Sequence, residues 1–230
     1  MIVFAVHGII EKIEIVLEQL NKFNKIDVLI VDTNSPSDIV RLFYEKNKDK
    51  YKFNLYYERI NYMCYDSGAY INAFKKYDVE KYYFFQDSIE FINESIFIEI
   101  NQLLDKFDVV AISSFPLIFD NYEQINWVFN NLEINTNINL IDMQTGRSFV
   151  NLPIYGIFGP MFSIKRETLL KIPNEWITEP INKNQAMAME RKWPIIFYLL
   201  NLSVTYIEKD HMIFLSGDTK WIKKYMLARQ

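Results

Sequence analysis

The chain has 230 residues, half of them hydrophobic, with a formal net charge of -4. That balance argues against a nucleic-acid backbone as partner, which calls for a basic excess or stripe. The single cysteine, Cys64, excludes a disulfide within the chain and a zinc site built from cysteines. A chain of this length should bury roughly 70–75% of its unfolded surface in one domain.

The N-terminal stretch MIVFAVHG lacks a basic leader region and runs straight into an apolar segment. The longest apolar stretch, PIIFYLLNLSV, is too short to span a bilayer. With one cysteine and neither of those signals, the expected location is cytoplasmic.

Residues 2–6 (IVFAV) form an unbroken apolar run that stops at His7-Gly8. Helical spacing follows over 11–23, with Ile13, Val16, Leu17 and Leu20 on one face. Residues 27–31 (DVLIV) read as a second buried strand ending at Asp32-Thr33-Asn34, and Ser35-Pro36-Ser37-Asp38 supplies helix-start chemistry for 38–46. A third strand is predicted over 53–58, and Asp66-Ser67-Gly68 opens a helix through Tyr77. The fourth strand covers 81–86, a helix 95–106, and a fifth strand 108–114. Continuous apolar runs mark strands covered on both faces. Their alternation with helices predicts an α/β fold with a mostly parallel central sheet.

After residue 115 the pattern loosens. A further helix is predicted over 121–130, and the Asn-rich 131–152 reads as a long loop or small antiparallel excursion. Residues 154–164 read as a strand with two glycines, 165–171 as a short helix, and 183–201 as a helical region that Pro194 kinks or restarts. Short strands at 203–207 and 212–215 and a closing helix over 219–228 complete the expectation.

In an open α/β sheet, ligands bind beyond the carboxyl ends of the strands. Four strands here exit into His7-Gly8, Asp32-Thr33-Asn34, the segment Asn61 to Gly68, and Gln86-Asp87-Ser88. Each group alone is ordinary turn or cap chemistry. Together they line one sheet edge with groups able to hold a polar ligand. Asp32 can accept hydrogen bonds from a ribose or a base edge. Ser67 and Gly68 stand at a helix start, where free N–H groups suit a phosphate, although Asp66 beside them repels one. His7 stacks on or bonds to a base, or is a satisfied strand-end histidine. Asp87 can ligand a divalent cation, with a diphosphate supplying further oxygens. The chain has neither the GxGxxG nor the GxxxxGK[ST] phosphate loop, and no GxSxG elbow.

In this order the segments VDTNSPSD, NYMCYDSGAY, YYFFQDSIEF, FGPMFSIKRETL and NKNQAMAMERKWPI resemble the GT-A glycosyltransferases. The resemblance covers roughly 2–92 and 154–215. It implies a nucleotide-sugar-binding half over 1–115 and an acceptor-side half over 116–230. It implies hexosyl or pentosyl transfer from a nucleotide-diphosphate sugar to a glycan or other hydroxyl. Asp32, Asn34, Asp66, Ser67, Gly68, Gln86 and Ser88 would meet the donor, with His7 beside the base. Gly159 and Trp193 would face the acceptor, and Glu190 would be the general base. The acidic DxD segment of that family is here Gln86-Asp87-Ser88, with one carboxylate. Two readings stay open. Mn²⁺ or Mg²⁺ could bind through Asp87 and His211, or the enzyme could be metal-independent. The alternatives are a non-catalytic nucleotide-sugar or glycan-binding protein, then a nucleotidyltransferase. The latter calls for a Gly-rich basic loop where this chain has HGIIEK.

Overall fold

In the computed structural model, residues 1–8, 10–23, 26–115, 156–157, 159–208 and 221–224 are described. The expected helix at 121–130, loop at 131–152 and strand at 212–215 lie outside them.

The apolar runs become parallel strands β1 (Ile2–Val6), β2 (Val28–Thr33), β3 (Leu55–Ile60) and β4 (Lys81–Gln86). Helices α1 (Glu11–Phe23), α2 (Ile39–Asn47) and α3 (Tyr65–Lys76) connect them. β1 pairs with β2 on one side and β4 on the other, and β2 pairs with β3. Next come β5 (Ile89–Phe91), α4 (Ile96–Leu104), β6 (Val109–Phe115), β7 (Gly156–Ile157) and β8 (Phe162–Lys165). Helices α5 (Arg166–Leu169) and α6 (Lys183–Leu199) and strands β9 (Val204–Glu208) and β10 (Ile222–Lys224) finish the described chain. The central sheet is eight-stranded, in the order β3-β2-β1-β4-β8-β6, with β7 and β9 also on β6. β8 runs antiparallel to both β4 and β6.

Side-chain alternation along β1 explains the layering. Val3 and Ala5 join a core with Tyr70 and Ala73 of α3 and Met189 and Trp193 of α6. Ile2, Phe4 and Val6 join a second core with Leu17 of α1, Phe43 of α2 and Ile100 of α4. The sheet is thus covered on both faces, as its unbroken apolar runs require.

Three expectations change. The region 183–199 is one helix that carries Pro194 inside it. Trp193, Ile195, Ile196 and Phe197 are all buried around that proline, and their burial outweighs the backbone bond a proline cannot make. The third strand is Leu55–Ile60, paired with β2 from Val28 to Thr33, and Tyr51 and Phe53 stack at 5.1 Å ahead of it. The closing helix is overturned over its described part. Residues 222–224 form β10, antiparallel to β5, with Ile222 opposite Phe91 and Lys224 opposite Ile89. Burial of Trp221 and Ile222 in the second core fixes that pairing. Among the described residues, no helix is long and apolar enough to cross a membrane.

Candidate functional site

The β2 exit is closed on itself. Asp32 is 0% exposed. Its Oδ1 accepts the Ser35 N–H at 2.8 Å and its Oδ2 accepts the Tyr57 hydroxyl at 3.1 Å. The Arg59 guanidinium lies 3.6 Å from Oδ2, and also reaches the Ser35 carbonyl and Asp38. A buried carboxylate needs this many partners. Burial, followed by Asp32, pushes the Tyr57 phenol up to about 12. Asp32 was expected to receive a nucleoside, but its oxygens instead brace the loop. That loop holds Asn34 exposed at φ +60, a strained conformation of the kind that clusters at ligand sites. His7 Nδ1 donates to the Thr33 carbonyl at 2.9 Å, which fixes its ring against the β2 exit. Arg59 carried no local sequence signal. It acts on Asp32 only because β3 pairs with β2.

The second exit is open. A cleft of about 140 Å³ is lined by Tyr65, Asp66, Ser67, Pro160, Lys183 and Glu190, with Ala186 and Met187. Three elements meet there: the start of α3, the turn between β7 and β8, and the first half of α6. Tyr65 opens α3 at φ +54, a strained start that presents Asp66. Gln86, at the end of β4, donates from Nε2 to Asp66 Oδ2 at 2.6 Å. β7 and β8 both pair with β6, with their registers shifted by two residues, and Gly159 and Pro160 fall in the gap. Gly159 has φ +59, and a Cβ there would stand 2.7 Å from Gln86 Oε1. Its N–H donates to Glu190 Oε1 at 3.0 Å. Lys183 was not anticipated. It is the first residue of α6, one helical face with Ala186, Met187 and Glu190.

Two expected contacts go to packing instead. Trp193 is 2% exposed and lies against Phe162 and Phe197, so its face is not offered to a sugar. Its Nε1 donates to Ser67 Oγ at 3.1 Å, within the seam between α3 and α6. The Gly68 N–H bonds to the Cys64 carbonyl at 3.1 Å, so it is not a free phosphate donor. Gly68 is bare because a Cβ would come within 2.5 Å of Cys64 Cβ.

Asp87 and Ser88 occupy the turn between β4 and β5 and are 3% and 4% exposed. Tyr70 of α3, 1% exposed, packs against Phe84 and Phe162. Burial first, and then the carboxylates of Asp66, Asp87 and Glu190, push its phenol well above its ordinary value. That buried hydroxyl has no hydrogen-bond partner among the described residues. Among those residues no three His, Cys, Asp or Glu side chains converge on a metal-sized site, and His211 lies outside them.

The chain matches no protein-family model and no curated protein. Solved structures do resemble it. S. aureus TarS 1–349 is 15% identical over 90% of this chain and 58% of its own, with a TM-score of 0.52. The mannosyltransferase PcManGT from Pyrobaculum calidifontis, solved with GDP-Man and Mn²⁺, is 13% identical over 89% of this chain and 53% of its own, with a TM-score of 0.54. The fold is GT-A-like. The 4-diphosphocytidyl-2C-methyl-D-erythritol synthase of Anaerococcus prevotii shares it at 14% identity, over 89% of this chain and 85% of its own, with a TM-score of 0.51. The chain spans little more than half the length of the first two proteins. At these identities the likeness is one of fold, and function rests on the site.

Proposed function

We propose that the chain is a glycosyltransferase that moves a sugar from a nucleotide-diphosphate donor to a hydroxyl of a glycan or other acceptor. The observation that carries this reading is the open cleft beside the β4 exit, where Gln86 hydrogen-bonds Asp66 and the Gly159 N–H hydrogen-bonds Glu190. One fold neighbour, PcManGT, is named a mannosyltransferase and was solved with GDP-Man, which supports the same chemistry.

In this reading the nucleoside lies over the β2 exit, against His7 and Asn34. The diphosphate extends toward Asp87 and Ser88, and the transferred sugar points into the cleft. Glu190 takes the acceptor proton in an inverting transfer. The acceptor oxygen then bonds to the anomeric carbon as the bond to the diphosphate breaks, and the diphosphate leaves with the electron pair. The Gly159 N–H on Glu190 Oε1 fixes the carboxylate's direction. A divalent cation would have Asp87 as a ligand, diphosphate oxygens as others and His211 as a further one. It would neutralise the leaving group's charge. The described residues alone do not form a protein cage for it.

A nucleotidyltransferase is the second reading, favoured by the likeness to the diphosphocytidyl synthase. Against it, the chain has HGIIEK after β1 in place of a Gly-rich basic loop. The test is thermal unfolding against a panel of nucleotide-sugars and nucleoside triphosphates, each with Mn²⁺, Mg²⁺ or chelator, repeated on Asp87→Ala. A ligand at a hundred times its dissociation constant adds about 2.7 kcal/mol. A shift with one nucleotide-sugar, lost in Asp87→Ala, is expected. A shift with a triphosphate alone would favour the second reading. No shift in a folded sample would sink both and leave a binding module for other ligands.

A further inference from the structure

Gln86 touches two walls of the cleft at once. Its Nε2 donates to Asp66 Oδ2 at 2.6 Å. A carboxylate only accepts, so the amide nitrogen must face Asp66 and the amide oxygen must face the other way. That oxygen lies where a Cβ on Gly159 would come within 2.7 Å, so the amide packs against the bare glycine. The Gly159 N–H in turn holds Glu190 Oε1 at 3.0 Å. One amide on β4 therefore ties the start of α3 to the β7–β8 turn and, through it, to α6.

We propose that Gln86 is a positioning residue that sets Asp66 and Glu190 at a fixed spacing across the cleft, and not a donor-sugar ligand. The chemistry of position 86 supports this. A carboxylate there would put two like charges within hydrogen-bond distance of each other. An apolar side chain would strip Asp66 of a short charge-assisted donor. An amide both donates to Asp66 and stays neutral against Gly159. The kinetic part of the inference rests on the transferase reading. The geometric part does not.

The test compares four proteins: wild type, Gln86→Glu, Asp66→Asn and the swap D66N/Q86E. In the swap the amide sits at position 66 and donates to a carboxylate at position 86, so the bond returns with its direction reversed. Each is measured for Tm and, with the nucleotide-sugar that binds wild type, for donor Kd and kcat. Gln86→Glu should lower kcat roughly 100-fold, the cost of displacing a catalytic group by about 1 Å, while donor Kd stays within about threefold. The swap should recover at least about tenfold of that loss. Wild-type kcat in Gln86→Glu, or a swap no better than the weaker single variant, overturns the proposal. A Tm that falls in the singles and recovers in the swap, with kcat unmoved throughout, also overturns it and leaves a purely structural pair. If wild type binds no donor, the transferase reading falls. The positioning role falls with it, and the Tm cycle then decides only the geometric part, with recovery in the swap supporting the Gln86–Asp66 bond and no recovery overturning it.

Discussion

The β2 exit and the β4 exit each bring acids to the same edge of the sheet, and the two differ in what surrounds them. At β2, Asp32 is sealed by Ser35, Tyr57 and Arg59. At the cleft, Asp66 and Glu190 line open volume and are joined through Gln86 and Gly159. A carboxylate at a strand end is therefore not by itself a ligand site. Where its lone pairs are spent on the fold, it shapes the loop that meets the ligand. Where it lines a cavity, it can meet the ligand itself.

The largest expected effect breaks the open side. Glu190→Gln keeps the shape and an acceptor for the Gly159 N–H, and removes the base. Transfer should fall about 10²–10⁴-fold, with donor affinity nearly unchanged. Steady-state kinetics beside calorimetric donor binding checks this, and undiminished turnover would remove Glu190 from the chemistry.

The closed side should respond in stability instead. Asp32→Asn weakens bonds to Tyr57 and Arg59 inside a sealed pocket. The expected cost is about 1.5–3 kcal/mol in denaturant unfolding. Asp66→Asn, beside open volume, should cost about 1 kcal/mol or less by the same measurement. Equal losses at both sites would dissolve the contrast.

A buried cation sharpens the comparison. Lys192 is 0% exposed, and its Nζ has no hydrogen-bond partner among the described residues. Burial pushes its pKa down to about 8. The unfolded chain then binds the proton more tightly than the folded one. The penalty is complete below about pH 8 and is relieved as pH rises towards the unfolded value near 10.4. Lys192→Met should therefore stabilise the fold by about 2 kcal/mol at pH 7, and by less at pH 9.5. Denaturant midpoints at the two pH values read the gap. A gap that widens with pH would refute the assignment.

A last substitution probes the β7–β8 turn between the two sides of the cleft. Gly159→Ala strains a φ of +59 and pushes a methyl against Gln86. We expect a loss of about 1–2 kcal/mol in stability. Gly68→Ala, at the buried α3 seam, makes the useful control, since it should lower stability without a selective fall in kcat.

What could be read in the sequence follows from the range of the forces involved. β1, β2 and β4 were legible because burial on both faces writes an unbroken apolar run into consecutive residues. The sites after them were legible as positions, since strand ends are local. The fate of each side chain was not. Asp32 and Asp66 look alike in sequence, and only Tyr57 and Arg59, or Gln86, each from the strand that follows, distinguish them. Trp193 was misread for a similar reason. Helical spacing puts it near Glu190 but does not say which of the two faces the core. The β5–β10 pair left no trace in the pattern either. Each partner is three residues long, and the pairing joins parts of the chain that local periodicity cannot connect. Position 223 favoured a helix by its neighbours and became a strand by its partner.

That pairing has a practical meaning for anyone handling the protein. Ile89–Phe91, immediately downstream of Asp87 and Ser88, is zipped to Ile222–Lys224, and the Ile92 N–H is held by the Trp221 carbonyl at 2.8 Å. A stop codon or a protease cut just ahead of residue 221 would leave the central sheet's strand pairings intact and unfasten the turn that carries Asp87. The fragment's acidic turn would keep the Gln19 contact to Phe91 and its own buried side chains without the β10 pairing, and a null binding result from it would say nothing about the full chain.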